Sequence, residues 1–263
     1  MVSELYKKDN YLNRNINKLF NSTIIEYDLH SANTSLCREY NLLDEDLIEN
    51  IEDMSKEKRV VTIGKLQRKD KDFKEKLKSS FVDIRKRFFI ENNIQDEDVL
   101  SIKKDAIFLL KYVDNTKFGY CEFLKKNKYT SYLFLNNLEF YYNRNLDDIV
   151  IDVKGISDDV LDKHKGYMLD FFGKFFYKME NNSMDNVLQY IKIFISKYKN
   201  NSLDINYYRE FNSISGIKVL GSDNIYDNAT FVYFVHRSSA KEIQIDITYN
   251  YFNLLIPLIQ LLI

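Results

Sequence analysis

The chain has 263 residues, a formal net charge of −1 and 45% hydrophobic residues, with only 7 glycines and 1 proline. That length can bury a sizeable core as one large or two small domains. The scarcity of Gly and Pro excludes collagen-like, linker-rich and low-complexity classes, and the charge excludes a uniformly basic nucleic-acid binder. Cys37 and Cys121 make no disulfide framework, so a reducing, cytoplasmic setting is expected and both read as small buried hydrophobes. His30, His164 and His236 are scattered, and with two distant cysteines they offer no zinc-like spacing. The charged, polar first residues carry no signal-peptide pattern.

Residues 23 to 28 are β-branched and aromatic and predict a strand ending in Asp28. An aspartate leaving such a strand is a cap or a ligand. As a cap, Asp28 or Ser31 would accept backbone N–H bonds from a helix running from about Ser31 to Leu42. Glu26 shares a strand face with Asp28 and reads as a third acid or, better, as a residue exposed at the strand end. Residues 42 to 54 hold six acids and no base, whereas residues 56 to 91 hold thirteen Lys or Arg against six acids. This basic stretch is either a solvated helix face or a phosphate-facing surface inside a neutral protein. Within it, Phe73, Leu77, Phe81, Ile84 and Phe88 recur at spacings of three and four, predicting an amphipathic helix from about Lys65 to Glu91.

"VLSIKKDAIFLLKYV", residues 99 to 113, reads as a hairpin with Asp105 at its tip, where an aspartate also suits a tight turn. Strands are expected at 129–135, 138–142 and 148–153, then two helices across 157–199. Strand-like runs near 230–236 and 242–248 precede "LLIPLIQLLI", residues 254 to 263. A membrane span needs about 20 apolar residues, so this tail predicts a buried final element or a partner-binding segment. The order is that of an α+β fold with a boundary near Gly155.

Several short segments together resemble family B DNA polymerases. "DLHSANTSL", Asp28 to Leu36, is similar to the first palm motif, Asp-x-x-Ser-Leu-Tyr-Pro-Ser, with Asp28, Ser31 and Ser35 on its fixed positions. "KKDA", Lys103 to Ala106, stands where the family has Asp-Thr-Asp-Ser, and Asp105 matches the aspartate that binds metal. "KNKY", Lys126 to Tyr129, resembles the Lys-Lys-Arg-Tyr element that contacts the primer strand. "VKGI", Val153 to Ile156, resembles the segment leading into the thumb. "KEKLKSSFV", Lys74 to Val82, keeps the lysine, serine and aromatic of the fingers helix, with Lys78 and Val82 as departures. The likeness covers roughly residues 20 to 212.

The resemblance implies a palm-like antiparallel sheet with flanking helices and reduced fingers over residues 1–154, and a helical thumb-like region over 155–212. C-terminal strands and the apolar tail would occupy 213–263. It implies a minimal polymerase core, of the kind phages and mobile elements encode, that transfers nucleotides to a nucleic-acid 3′ end. Asp28 and Asp105 would be catalytic and hold Mg²⁺, or Mn²⁺, in a two-metal site. Ser31, Asn33 and Lys74 would bind the nucleoside triphosphate, and Lys126, Lys128 and Tyr129 the primer–template. Asn33 replaces the tyrosine that excludes a 2′-hydroxyl, and Lys103 replaces the first hairpin aspartate. From the residues alone, Lys126, Lys128 and Tyr129 also suit a charged strand edge. Tyr207, Tyr208, Arg209 and Phe211 suit base stacking or thumb packing. A second expectation is therefore a palm-derived nucleic-acid-binding or interaction subunit of a larger viral assembly, without catalysis.

Overall fold

The computed structural model describes residues 2–135, 137–144, 149–155, 158–200 and 202, with the short strands Ile217–Lys218 and Ile225–Tyr226. The strands expected at 230–236 and 242–248, the tail at 254–263, and Tyr207, Tyr208, Arg209 and Phe211 lie outside the described residues. The fold is α+β with antiparallel sheets. Two units divide it, one of residues 1–16 and 23–128, the other of residues 17–22 and 129–263.

In the first unit, β1 (Asn10–Leu12), β3 (Ile24–Leu29), β4 (Val99–Lys103), β5 (Ala106–Leu109), β6 (Lys117–Phe118) and β7 (Cys121–Tyr129) form a sheet in the order β1-β4-β5-β3-β7-β6. Alternation along β3 sends Ile25, Tyr27 and Leu29 into one core with Ile107, Leu109 and Phe123. Helices α1 (Ala32–Glu39), α2 (Glu45–Glu52), α3 (Lys56–Lys69) and α4 (Lys71–Glu91) supply Leu36, Ile48, Ile51, Ile63, Leu77, Ile84 and Phe88 to that core. Phe88 stacks on Phe123 with centroids 4.3 Å apart. The acidic run becomes α2, whose Glu45 and Asp46 lie in its first turn, where the helix dipole favours negative charge.

The single helix expected from Lys65 to Glu91 is two helices. Asp70 leaves helical geometry, with φ −122° and ψ 108°, and its carboxylate accepts the Phe73 N–H at 3.0 Å. An aspartate that caps the next helix ends the one before it, which periodicity alone does not reveal.

The expected hairpin is present: Lys103 pairs with Ala106 across the two-residue turn Lys104–Asp105, and Lys104 has φ +56°. No glycine eases this turn; outside groups hold it. The Lys104 N–H donates to the Asp9 carbonyl at 2.7 Å, and Arg85, on α4, donates to the Lys104 carbonyl at 3.0 Å. Arg85 is 1% exposed and also pairs with the Asp9 carboxylate at 2.7 Å.

In the second unit, β2 (Lys18–Leu19), β8 (Ser131–Leu135), β9 (Leu138–Arg144) and β10 (Ile149–Lys154) form a sheet in the order β10-β9-β8-β2. Helix α5 (Asp158–Asn181) packs on it through aromatics, with Phe172 on Phe140 at 4.3 Å and Phe176 on Tyr142 at 5.0 Å. Helix α6 (Met184–Lys199) packs on α5, where Phe194 meets Phe171 at 4.4 Å. Strands β11 (Ile217–Lys218) and β12 (Ile225–Tyr226) pair with each other.

Candidate active site

Strands β3 and β5 pair so that Asp28 lies opposite Ala106, the residue after Asp105. The Leu29 N–H then donates to the Asp105 carbonyl at 3.1 Å, which brings the two aspartates side by side where the ladder ends. Asp28 belongs to the strand and is not a cap. The residue preceding α1 is Ser31, whose backbone is left-handed at φ +46° and whose side chain makes no capping bond. The junction is fastened from within the helix, as the Ser35 hydroxyl donates to the His30 carbonyl at 2.7 Å and Thr34 to the Ser31 carbonyl at 3.1 Å. A left-handed non-glycine residue beside two carboxylates is a feature that functional sites concentrate.

A cleft of about 570 Å³ opens on this pair, within the range of ligand pockets. Asp28, Asp105, Ser31 and Asn33 line it, and Lys56 and Arg59 of α3 contribute cations, with Lys125 and Lys126 from β7. Partial burial and the Asp28 charge raise the Asp105 pKa above the usual carboxylate range, while its own backbone N–H, Lys126 and Lys104 act in the opposite direction. Lys126, 55% exposed, reaches Asp28 at 3.2 Å and Glu26 at 3.9 Å. Glu26, expected at an exposed strand end, is 2% exposed and accepts from Asn127 at 2.5 Å. It lies inside β3, so its strand neighbours and β7 cover it.

The cleft thus gathers Asp28, Asp105, Ser31, Asn33 and Lys126. Lys74 is not among its lining residues and is exposed in the first turn of α4. Lys128 is exposed on β7, whereas Tyr129 is wholly buried in the second unit and its hydroxyl donates to Asp152 at 3.1 Å. The sequence reading did not single out Lys56, Arg59 or Lys125. The signal for the first two was present: the basic stretch begins at Lys56, and Lys56, Arg59, Val60 and Ile63 follow the spacing of one helix face.

Family comparison gives the chain a lineage. The family described as Bacteriophage PBS1 gene 130 protein matches it over residues 1–263. The chain belongs to this phage-protein family. No curated protein matches it. The name of the PBS1 gene 130 family states an origin and no activity, so the chemistry of this member is argued from its cleft.

Among the described residues, no group of three or more His, Cys, Asp and Glu is placed to hold a metal ion. The donor set is the Asp28–Asp105 pair. It fits Mg²⁺, which dehydrates reluctantly and is usually held by one or two carboxylates, with waters and substrate phosphates completing its shell. The raised pKa of Asp105 beside Asp28 marks negative charge that a cation would relieve. Phosphates brought by a nucleotide would meet Lys56 and Arg59 in the same cleft.

Proposed function

We propose that this protein is a minimal family B-like polymerase core, which adds nucleotides to a nucleic-acid 3′ end in a Mg²⁺-dependent reaction. One observation carries the reading: the two aspartates singled out by the motif resemblance share a cleft with Lys56 and Arg59. Carboxylates for a hard cation beside cations for a triphosphate form the donor arrangement that nucleotidyl transfer uses.

In this reading Asp28 and Asp105 hold the metal, which supplies charge stabilisation at the reacting phosphate oxygens. Arg59 and Lys56 bind the β- and γ-phosphates, Arg59 with the planar fork that suits bidentate contact. Ser31 and Asn33 border the sugar, and Asn33 leaves both deoxy- and ribonucleotides admissible. The 3′-hydroxyl gives its proton to solvent as its oxygen bonds to the α-phosphorus in line, the α–β anhydride bond breaks, and pyrophosphate leaves. Lys126 and Lys128 hold the strand. Two buried, unpaired cysteines suit a reducing compartment, and the host cytoplasm is where such a phage protein would work.

Binding of a fluorescent deoxynucleoside triphosphate with Mg²⁺ tests this reading. Arg59→Ala is expected to weaken binding roughly tenfold, and Asp28→Asn/Asp105→Asn to remove its Mg²⁺ dependence. A folded wild-type protein that binds no triphosphate would sink the proposal. It would favour a second reading, a palm-derived nucleic-acid-binding subunit without catalysis, which Lys103 in place of the first hairpin aspartate supports.

A further inference from the structure

We propose that Tyr112, whose exposed ring holds the ammoniums of Lys125 and Lys128 by cation–π contact, is a stacking platform for single-stranded nucleic acid beside the cleft. The inference rests on the polymerase-like or nucleic-acid-binding reading above and names the surface that holds the strand. It also reassigns a role. The motif resemblance gives the aromatic contact to Tyr129, but that ring is wholly buried, 5.2 Å from the ring of Tyr141, and offers no face to a base.

Tyr112 has the required properties. It is 50% exposed in the loop after β5. The ammoniums of Lys125 and Lys128 lie over its ring, 4.7 Å and 5.7 Å from the centre, so a base stacks there by displacing an exposed lysine head, which the strand's phosphates then take up. Both lysines are exposed, and Lys125 also lines the cleft that contains Asp28 and Asp105, so it is shared by platform and cleft. An aromatic face next to cations matches the two parts of a single strand, its bases and its phosphates.

The loop is also held in place, which an incidental surface tyrosine does not need. The Val113 N–H donates to the Tyr27 hydroxyl at 2.9 Å, and that hydroxyl donates to the Val113 carbonyl at 3.4 Å. Tyr27 is buried in β3, one residue before Asp28. Further along, the Asn115 N–H donates to the Asn92 side chain at 3.0 Å, and Asn92 donates back to the Asn115 carbonyl at 2.6 Å. A rotamer-poor ring on an anchored loop loses little entropy when a base stacks on it. The strand that carries Asp28 thereby also fixes the position of Tyr112.

The test is fluorescence anisotropy of a labelled oligothymidylate of about 16 nucleotides, measured across a salt series with full-length protein. Tyr112→Ala is expected to weaken binding about tenfold with the salt slope unchanged, because stacking releases no counterions. Tyr112→Phe is expected to bind like wild type, which also separates stacking from a folding defect. Lys125→Ala/Lys128→Ala is expected to reduce the salt slope by about 1.4, at roughly 0.7 for each phosphate contact on single strands. Equal binding by wild type and Tyr112→Ala would overturn the platform and leave the functional reading standing. No binding by wild type would overturn both and point to an acidic protein as the partner of the patch.

Discussion

A carboxylate half buried beside another carboxylate costs a fold stability, and Asp105 is such a group. Its pKa is raised in the folded state, so the cost is fully present above that value and disappears as pH falls below the ordinary aspartate range. Asp105→Asn is therefore expected to raise the Tm at pH 7 by roughly 1–4 °C, and by less at pH 4, in thermal melts followed by circular dichroism. A lowered Tm at both values would make Asp105 a structural turn residue. Lys126 is the complementary case. Its ammonium lies on Asp28, where it competes with any divalent cation. Because the pair is substantially exposed, Lys126→Gln is expected to tighten Mn²⁺ binding by only about two- to fivefold in calorimetry. Unchanged affinity would remove Lys126 from the cation site. The places of Asp28 in a strand and Asp105 at a hairpin tip were legible in the sequence because strand alternation and hairpin chemistry act over a few residues. Tyr129 was misleading for a tertiary reason: its motif neighbours Lys126 and Lys128 are exposed while its own ring turns into the core.

At the scale of elements, the site depends on contacts remote in sequence. Arg85 ties α4 to the hairpin turn that presents Asp105, through the Lys104 carbonyl and Asp9. Arg85→Met leaves that carbonyl without its donor and is expected to cost about 1–3 kcal/mol in urea unfolding; a loss below a few tenths would deny the arginine this role. Gly155 closes β10 at φ +96°, and a Cβ there would stand 2.3 Å from the Asn137 carbonyl oxygen. Gly155→Ala is expected to cost about 1–3 kcal/mol by the same measurement. Gly155 falls between β10 and α5, both in the second unit. The shift from strand to helix composition was readable. That α5 packs back on the strands before it was not, since the Phe140–Phe172 and Tyr142–Phe176 contacts are made only in three dimensions. Likewise, Lys56 and Arg59 reach the cleft because α1 packs on α2 and α2 on α3. Periodicity gives a helix its face but not its neighbour.

For the molecule as a whole, a near-neutral chain sets Lys56, Arg59, Lys125 and Lys126 around a cleft of its first unit that also holds Asp28 and Asp105. Among the described residues no helix is long and apolar enough to cross a membrane. Membership of the PBS1 gene 130 family gives the chain a phage lineage. Asp28 and Asp105 are proposed to serve nucleotide addition. Extension of a labelled primer–template with Mg²⁺ or Mn²⁺, with deoxy- and ribonucleotides supplied separately, tests it most directly. Wild type is expected to extend the primer and a folded Asp28→Ala/Asp105→Ala protein is not, with the accepted nucleotide showing what Asn33 permits. No extension by folded wild type, or undiminished extension by the double variant, would contradict it.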